Sequence, residues 1–175
     1  MKKIFTAILL ILCMTATSTA AFADDLDEPS VWVDADTFDL RTPCGVTEEE
    51  LEAVLKHDLR GMAKHYLDAE EKYGVNAVFL ASVSALESGW GRYCFRENNI
   101  FGYGRNSFES YAECIDFVAS KISKNYLSED GRYYSGTTID AVNVYYNGRE
   151  AWAETVKSIF SRMLEKVDIS RKENI

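Results

Sequence analysis

Residues 76–104 read NAVFLASVSALESGWGRYCFRENNIFGYG, and the fold of the whole chain follows from how they are read. Asn76 is an N-cap residue, with Val75 and Leu80 placed to form a hydrophobic staple. From Ala77 to Leu86 the residues are apolar nearly all round, interrupted only by Ser82 and Ser84, which predicts a buried helix. Gly89 and Gly91 end it and give the backbone freedom for a sharp turn. Glu87 falls in the last helical turn. Burial and the partial negative charge of a helix C-terminus both disfavour a charged carboxylate there, so Glu87 should hold a proton near neutral pH. Such an acid suits protonation of a leaving-group oxygen on a sugar. The competing reading is a solvated Glu at a helix end, because charged residues are mostly exposed. In the loop, Trp90, Tyr93, Phe95, Phe101 and Tyr103 surround Asn98 and Asn99. Aromatic faces stack on sugar rings, and Asn amides both donate and accept as acetamido groups require. The same aromatics suit core packing, and Trp90 and Phe101 could instead wedge the loop against helices.

Helical spacing continues on both sides. Thr47-Glu-Glu-Glu50 is a capping box with Val46 and Leu51 as its staple. Leu51, Val54, Leu55, Leu59, Met62, Tyr66, Leu67 and Tyr73 then recur with helical period, with Gly61 as a dividing point and Gly74 as a C-terminal cap. Ser110 and Glu113 form a second capping box, followed by an inward stripe of Tyr111, Cys114, Ile115, Val118, Ile122 and Tyr126. Residues 128–136 are turn-rich and aromatic. A short helix is expected over 138–145, and a last one from about 150 to 167 with Trp152, Val156, Ile159, Phe160, Met163 and Leu164 on one face. Neither a strand pattern nor a repeat is evident, so the fold class is all-α.

At the start, Lys2 and Lys3 precede an apolar run from Ile4 to Met14, and Ala21-Phe22-Ala23 leads into Asp24-Asp25. This is the layout of a secretory signal peptide over residues 1–23; an uncleaved anchor is the alternative. Bulky Leu12 before Cys13 argues against lipidation, and after cleavage no stable membrane insertion is expected. Cleavage removes two lysines and no acid, leaving the chain two units more acidic than its full-length −9. That balance excludes nucleic acid as a partner, since phosphate binding needs clustered Lys and Arg. Residues 24–46, acidic and broken by Pro29, Pro43 and Gly45, read as a leader or linker in which Val31, Trp32, Val33 and Phe38 could pack on the domain. His57 and His65 are poorly spaced for a shared metal, and no CxxC pair exists, so neither metal nor cofactor is expected.

Taken together, Ala85-Leu-Glu-Ser-Gly-Trp-Gly91 followed by Asn98-Asn-Ile-Phe-Gly102 resembles the signature of bacterial glucosaminidase domains, glycoside hydrolase family 73. Asn76–Ala81 resembles the family's helix leading to the catalytic Glu. Phe108–Ile115 resembles its F-x-S-Y-E-E-S-I helix start, and Tyr146 with Trp152-Ala153 its later Y-A-T-D-P-x-Y/W-A segment, although Asn147-Gly-Arg-Glu150 departs from that pattern. The resemblance covers roughly residues 47–168, leaving 169–175 as a charged tail. It implies a lysozyme-like helical fold in which Glu87 is the general acid and Tyr146 lines the site, with Tyr145 as the neighbour if the register shifts by one. It also implies substrate contacts by Trp90, Asn98, Asn99, Phe101, Gly102, Tyr103, Tyr111 and Trp152.

Larger members carry a hairpin lobe after the Asn-Asn-x-Phe-Gly motif, often with a second carboxylate; here only residues 105–107 separate that motif from the next one. Glu97, Glu109, Glu113, Glu129 and Asp130 are candidates by position alone; attack assisted by the substrate's own N-acetyl oxygen and water positioned by Tyr146 are the other routes. Cys94 and Cys114 stand where the resembling motifs carry small residues, which suggests a disulfide pinning the loop and leaves Cys44 unpaired. The function implied is that of a secreted, monomeric endo-β-N-acetylglucosaminidase acting on peptidoglycan glycan strands at the cell wall. Alternatives are a muramidase or lytic transglycosylase cutting the other glycan bond, and a catalytically silent glycan-binding protein.

Overall fold

The computed structural model describes residues 34–174, which form helices and turns with no strand among them. The expected signal peptide, residues 24–33 of the acidic leader including Val31, Trp32 and Val33, and Ile175 lie outside the described residues. Six α-helices follow in order: α1 (Glu48–Val54), α2 (Ala63–Tyr73), α3 (Ala77–Ser88), α4 (Tyr111–Ile122), α5 (Ile139–Tyr146) and α6 (Glu150–Glu173). A 3₁₀ turn at His57–Leu59 lies between α1 and α2, so the chain breaks at Leu55 and again before Ala63. A π turn, Ser123–Leu127, continues α4. No described helix is long and apolar enough to cross a membrane.

α3 is the axis. Its residues from Ala77 to Ala85 are all buried, as a helix apolar on every side requires. α6 packs against it most extensively, and α2 and α4 pack together on the other flank. The start of α3 is fixed twice over. Asn76 Oδ1 accepts from the Phe79 amide at 2.9 Å, and Glu70 Oε2 accepts from the Ala77 amide at 2.7 Å. At its other end Gly89 adopts the left-handed conformation (φ 57°), and the Trp90 amide closes on the Ala85 carbonyl at 2.9 Å. Glu87 is therefore held on a rigid rod whose two ends are both satisfied.

Two segments join the core more firmly than their composition suggests. Within the acidic leader, Leu40 is fully buried and Ala35, Cys44 and Val46 are also buried. Leu40 donates its amide to the Thr137 carbonyl and accepts from the Asn76 amide, both at 2.9 Å. Lys157 of α6 reaches Asp36 at 2.7 Å and Asp140 at 3.2 Å, which ties the segment to α5 and α6. The stretch has no helical or strand period; Phe38, expected to pack on the domain, does so with its ring 5.5 Å from that of Phe160, while the burial of Leu40 was not marked by any pattern. At the other end α6 runs six residues past Val167, where Arg171 pairs with Glu50, the capping-box partner of Thr47 in α1. That guanidinium, more than any other neighbour, holds the Glu50 carboxyl below its ordinary range.

Candidate active site

The last turn of α3 delivers Glu87 to the surface half-buried. Oε1 accepts a hydrogen bond from the indole Nε1 of Trp152 at 2.7 Å. Oε2 faces Gly102, where a Cβ would come within 3.4 Å of it. Gly102 has φ 59°, so a side chain there would meet both backbone strain and the carboxylate. Burial raises the Glu87 pKa above 4.5, and the Trp152 hydrogen bond partly opposes it. No second carboxylate is among those influences. The carboxyl opens on a depression of about 290 Å³ shared with Asn147, Arg149, Trp152 and Thr155.

An aromatic wall stands behind Glu87. The Tyr146 ring lies 5.1 Å from that of Trp152, 6.0 Å from Tyr126 and 6.4 Å from Tyr103. The row continues through Tyr126 to Tyr133 at 5.2 Å and from Tyr133 to Tyr145 at 5.8 Å. The π turn after α4 carries Tyr126 into this row; such turns recur at functional sites because they re-aim side chains. The Tyr146 hydroxyl donates to the Phe101 carbonyl at 3.2 Å. Burial first, and the nearby Glu87 second, push its pKa well above 10, so it stays protonated.

The loop between α3 and α4 is built by its own amides. Asn99 is buried, accepts from the Tyr103 amide at 2.9 Å, and donates to the carbonyls of Asn106 at 3.0 Å and Tyr103 at 3.2 Å. Asn98, in the left-handed region at φ 53°, donates to the Phe108 carbonyl at 2.9 Å. Both side chains hold the loop that presses Gly102 on Glu87. Phe101 is fully buried and serves as the loop's anchor. Asn99→Ala is expected to cost about 2 kcal/mol, since it removes the three hydrogen bonds that this buried amide makes across the loop. Thermal unfolding of wild type and variant would read this, and an unchanged melting temperature would count against it.

Other residues expected at the site do not line the Glu87 depression. Trp90 packs beyond the turn, under the Lys56 ammonium at 4.8 Å, and lines a different depression from Glu87. The Tyr111 hydroxyl donates to the Gly91 carbonyl at 2.8 Å, bracing the turn after α3. Tyr93 and Phe95 are exposed, at 70% and 91%. The expected Cys94–Cys114 bridge is not formed: Cys44, Cys94 and Cys114 are all free thiols. Cys114 is buried on α4 and Cys94 is half-exposed, with its Sγ 3.9 Å from the Gly91 carbonyl. Burial pushes the Cys114 thiol up to about 12. The loop is held by Asn99 and Tyr111 instead. Sequence reasoning missed Asn147, Arg149 and Thr155 in the depression, and Tyr133 in the aromatic row. Arg149 stands in the segment that departs from the resembling motif, which was the available signal.

Comparison with known proteins extends this geometry. Two proteins of Streptococcus pneumoniae, from strains TIGR4 and R6 and provisionally named endo-beta-N-acetylglucosaminidases, are each 34% identical to the chain over 113 residues. The matched region is 58% of this chain but only 17% and 16% of those relatives, so the chain spans about a sixth of their length. A catalytic mutant of S. aureus autolysin E, solved with the disaccharide NAG-NAM, superposes with a TM-score of 0.65 at 18% identity, covering 76% of this chain and 73% of that one. The same autolysin, solved with the muropeptide NAM-L-Ala-D-iGlu, gives 0.60 at 21% identity with the same coverage. At such identities the likeness establishes the shared lysozyme-like helical fold. The Glucosaminidase family, described as mannosyl-glycoprotein endo-beta-N-acetylglucosaminidase, matches residues 63–165, a span that begins with α2 and includes Glu87, Tyr146 and Trp152. The chain belongs to that family.

Proposed function

We propose that the chain is an endo-β-N-acetylglucosaminidase that hydrolyses β-1,4 bonds in peptidoglycan glycan strands, with Glu87 as the general acid. The observation that carries this reading is the Glu87 carboxyl itself. It is half-buried, raised in pKa, held through one oxygen by Trp152, and open through its surroundings to a depression beside an aromatic wall. The family membership and the autolysin fold support the same chemistry.

In the reaction, protonated Glu87 gives its proton to the glycosidic oxygen as the C1–O bond breaks. Glu97, Glu109, Glu113, Glu129 and Asp130 are all exposed, and Glu113 accepts from the Glu109 amide at 2.6 Å. None of them influences Glu87. This favours the substrate's N-acetyl carbonyl oxygen as the group that attacks C1 from the opposite face. Water then opens the cyclic intermediate and returns a proton to Glu87. Tyr146, protonated and next to Glu87, is suited to place that water by accepting from it while donating to Phe101.

Tyr146→Phe is expected to lower kcat about tenfold to a hundredfold with little change in KM. A KM rise at constant kcat would place Tyr146 in binding alone. Mass spectrometry of muropeptides after digestion tests the reaction itself: N-acetylglucosamine at the new reducing ends supports it. N-acetylmuramic acid or its anhydro form would assign the cut to the other bond, and no digestion would leave a glycan-binding protein. The signal-like residues 1–23 support action outside the cytoplasm, at the wall.

A further inference from the structure

Farther along α6 lies a second depression, of about 170 Å³, that Glu87 does not line. Its apolar surface comes from Val54, Ile159 and Met163, its wall from Trp90, and its cations from Lys56, Arg162 and Lys166. An adjoining hollow shares Lys56 and Lys166 and adds His57 and Arg60. No acidic side chain lines either one. Lys56, Arg60, Arg162 and Lys166 make no ion pair among the described residues. In a chain with 28 acids and 19 basic residues, four such cations around joined hollows run against the overall charge.

The backbone there is strained as well. Among the described residues, His57 (φ 50°) and Trp90 (φ 67°) are two of three non-glycines in the left-handed region. They are bound to each other's segment, the Asp58 amide donating to the Trp90 carbonyl at 3.2 Å. Conformations of that kind persist where the surroundings enforce them, and they gather at binding sites. The position of the hollow is equally informative. Trp152 and Thr155 at the catalytic depression, then Ile159, Met163 and Lys166, follow one another at helical spacing along a single strip of α6. Thr155 and Ile159 are one turn apart, a rise of about 6 Å. A ligand lying past Glu87 along α6 would carry its side branches over the second hollow.

We propose that this hollow is a subsite for an acidic peptide branching from the glycan, its carboxylates held by Lys56, Arg162 and Lys166 and its alkyl groups by Trp90, Ile159 and Met163. The mixed lining favours such a peptide over a bare inorganic anion, which would leave the apolar surface unused. This subsite rests on the glycan-hydrolase reading for its purpose, and its test separates the two.

The full chain is titrated calorimetrically with a soluble acidic stem-type tetrapeptide, with the same peptide amidated at its carboxylates, and with inorganic phosphate. Binding of the acidic form alone, weakened about fivefold or more in R162Q/K166Q and by raised salt, is the expected result. Arg162 and Lys166 are both exposed, and circular dichroism of the variant checks the fold. In parallel, KM is measured on glycan strands bearing peptides and on strands stripped of them. The double variant should raise KM about fivefold on the first and leave the second unchanged. Equal binding of acidic and amidated peptide, binding of phosphate in preference to peptide, or equal KM changes on both substrates would overturn the subsite. Peptide binding without cleavage of either strand would uphold it while sinking the hydrolase reading.

Discussion

Glu87→Gln is expected to lower kcat on peptidoglycan about a hundredfold to ten-thousandfold, the range set by removing a positioned general acid, while the helices stay in place. The substitution is nearly isosteric, and the Gln carbonyl oxygen can accept from Trp152 Nε1 where Oε1 does now at 2.7 Å. Binding of glycan should survive, so KM stays within a few-fold and the loss falls on kcat. Stability moves the other way. The folded-state pKa of Glu87 is raised above 4.5, so the native state holds its proton more tightly than the unfolded chain does. Wild-type stability accordingly falls as pH rises from about the ordinary Glu value through the raised one. Gln carries no such penalty. The variant's melting temperature should therefore gain on that of wild type between pH 4 and pH 7, with the smaller difference at pH 4. A variant that is inactive and gains stability at neutral pH has lost a group kept for chemistry. Substantial residual activity, or a difference that shrinks as pH rises, would remove Glu87 from that role.

The sequence made the scaffold legible wherever the chain uses regular periods and caps. α3 is recognisable from its run of apolar residues, and Asn76, Thr47, Ser110 and Thr138 each cap as their residue types suggest. Glu87 is legible because a helix buried on every side gains nothing in packing from a carboxylate in its last turn. The loop was harder. Asn98 and Asn99 carry amides equally able to hold a sugar or a backbone, and in the folded chain Asn99 uses its amide on Tyr103 and Asn106. Aromatics had the same ambiguity. Phe101 and Trp152 are both large and buried, yet Trp152 reaches Glu87 through a polar edge that Phe lacks. Trp90 follows Glu87 by only three residues, but after the turn at Gly89 it packs against Lys56 and lines a different depression. The Cys94–Cys114 pairing failed for a related reason: residue type and an expected oxidising compartment allow a bond, and the backbone decides whether it forms. The packing of residues 34–46 depended on Leu40, Phe38 and Asp36 meeting partners a hundred residues away, which no local pattern encodes.

Trp152→Phe gives the second large effect, and its value lies in what it does to the pH profile. Two influences set the proton on Glu87: burial raises its pKa, and the indole hydrogen bond lowers it. Phe keeps a ring against Tyr146, which lies 5.1 Å away, but has no N–H to donate. Removing the opposing influence leaves burial alone, so the acid holds its proton to higher pH. Because the general acid works only when protonated, the alkaline limb of the rate profile should move upward. At the same time Oε1 loses its partner and the carboxyl its fixed orientation, which should lower kcat about tenfold to a hundredfold at the optimum. The relative loss then narrows as pH rises, a pattern that a merely loosened wall does not produce. The smaller ring also leaves a gap beside a residue only 7% exposed, worth about 1–2 kcal/mol of stability, so assays belong well below the variant's melting temperature. Profiles of kcat against pH for both proteins decide the matter. An alkaline limb that stays put or moves down would mean that Trp152 packs the site without setting the proton of Glu87.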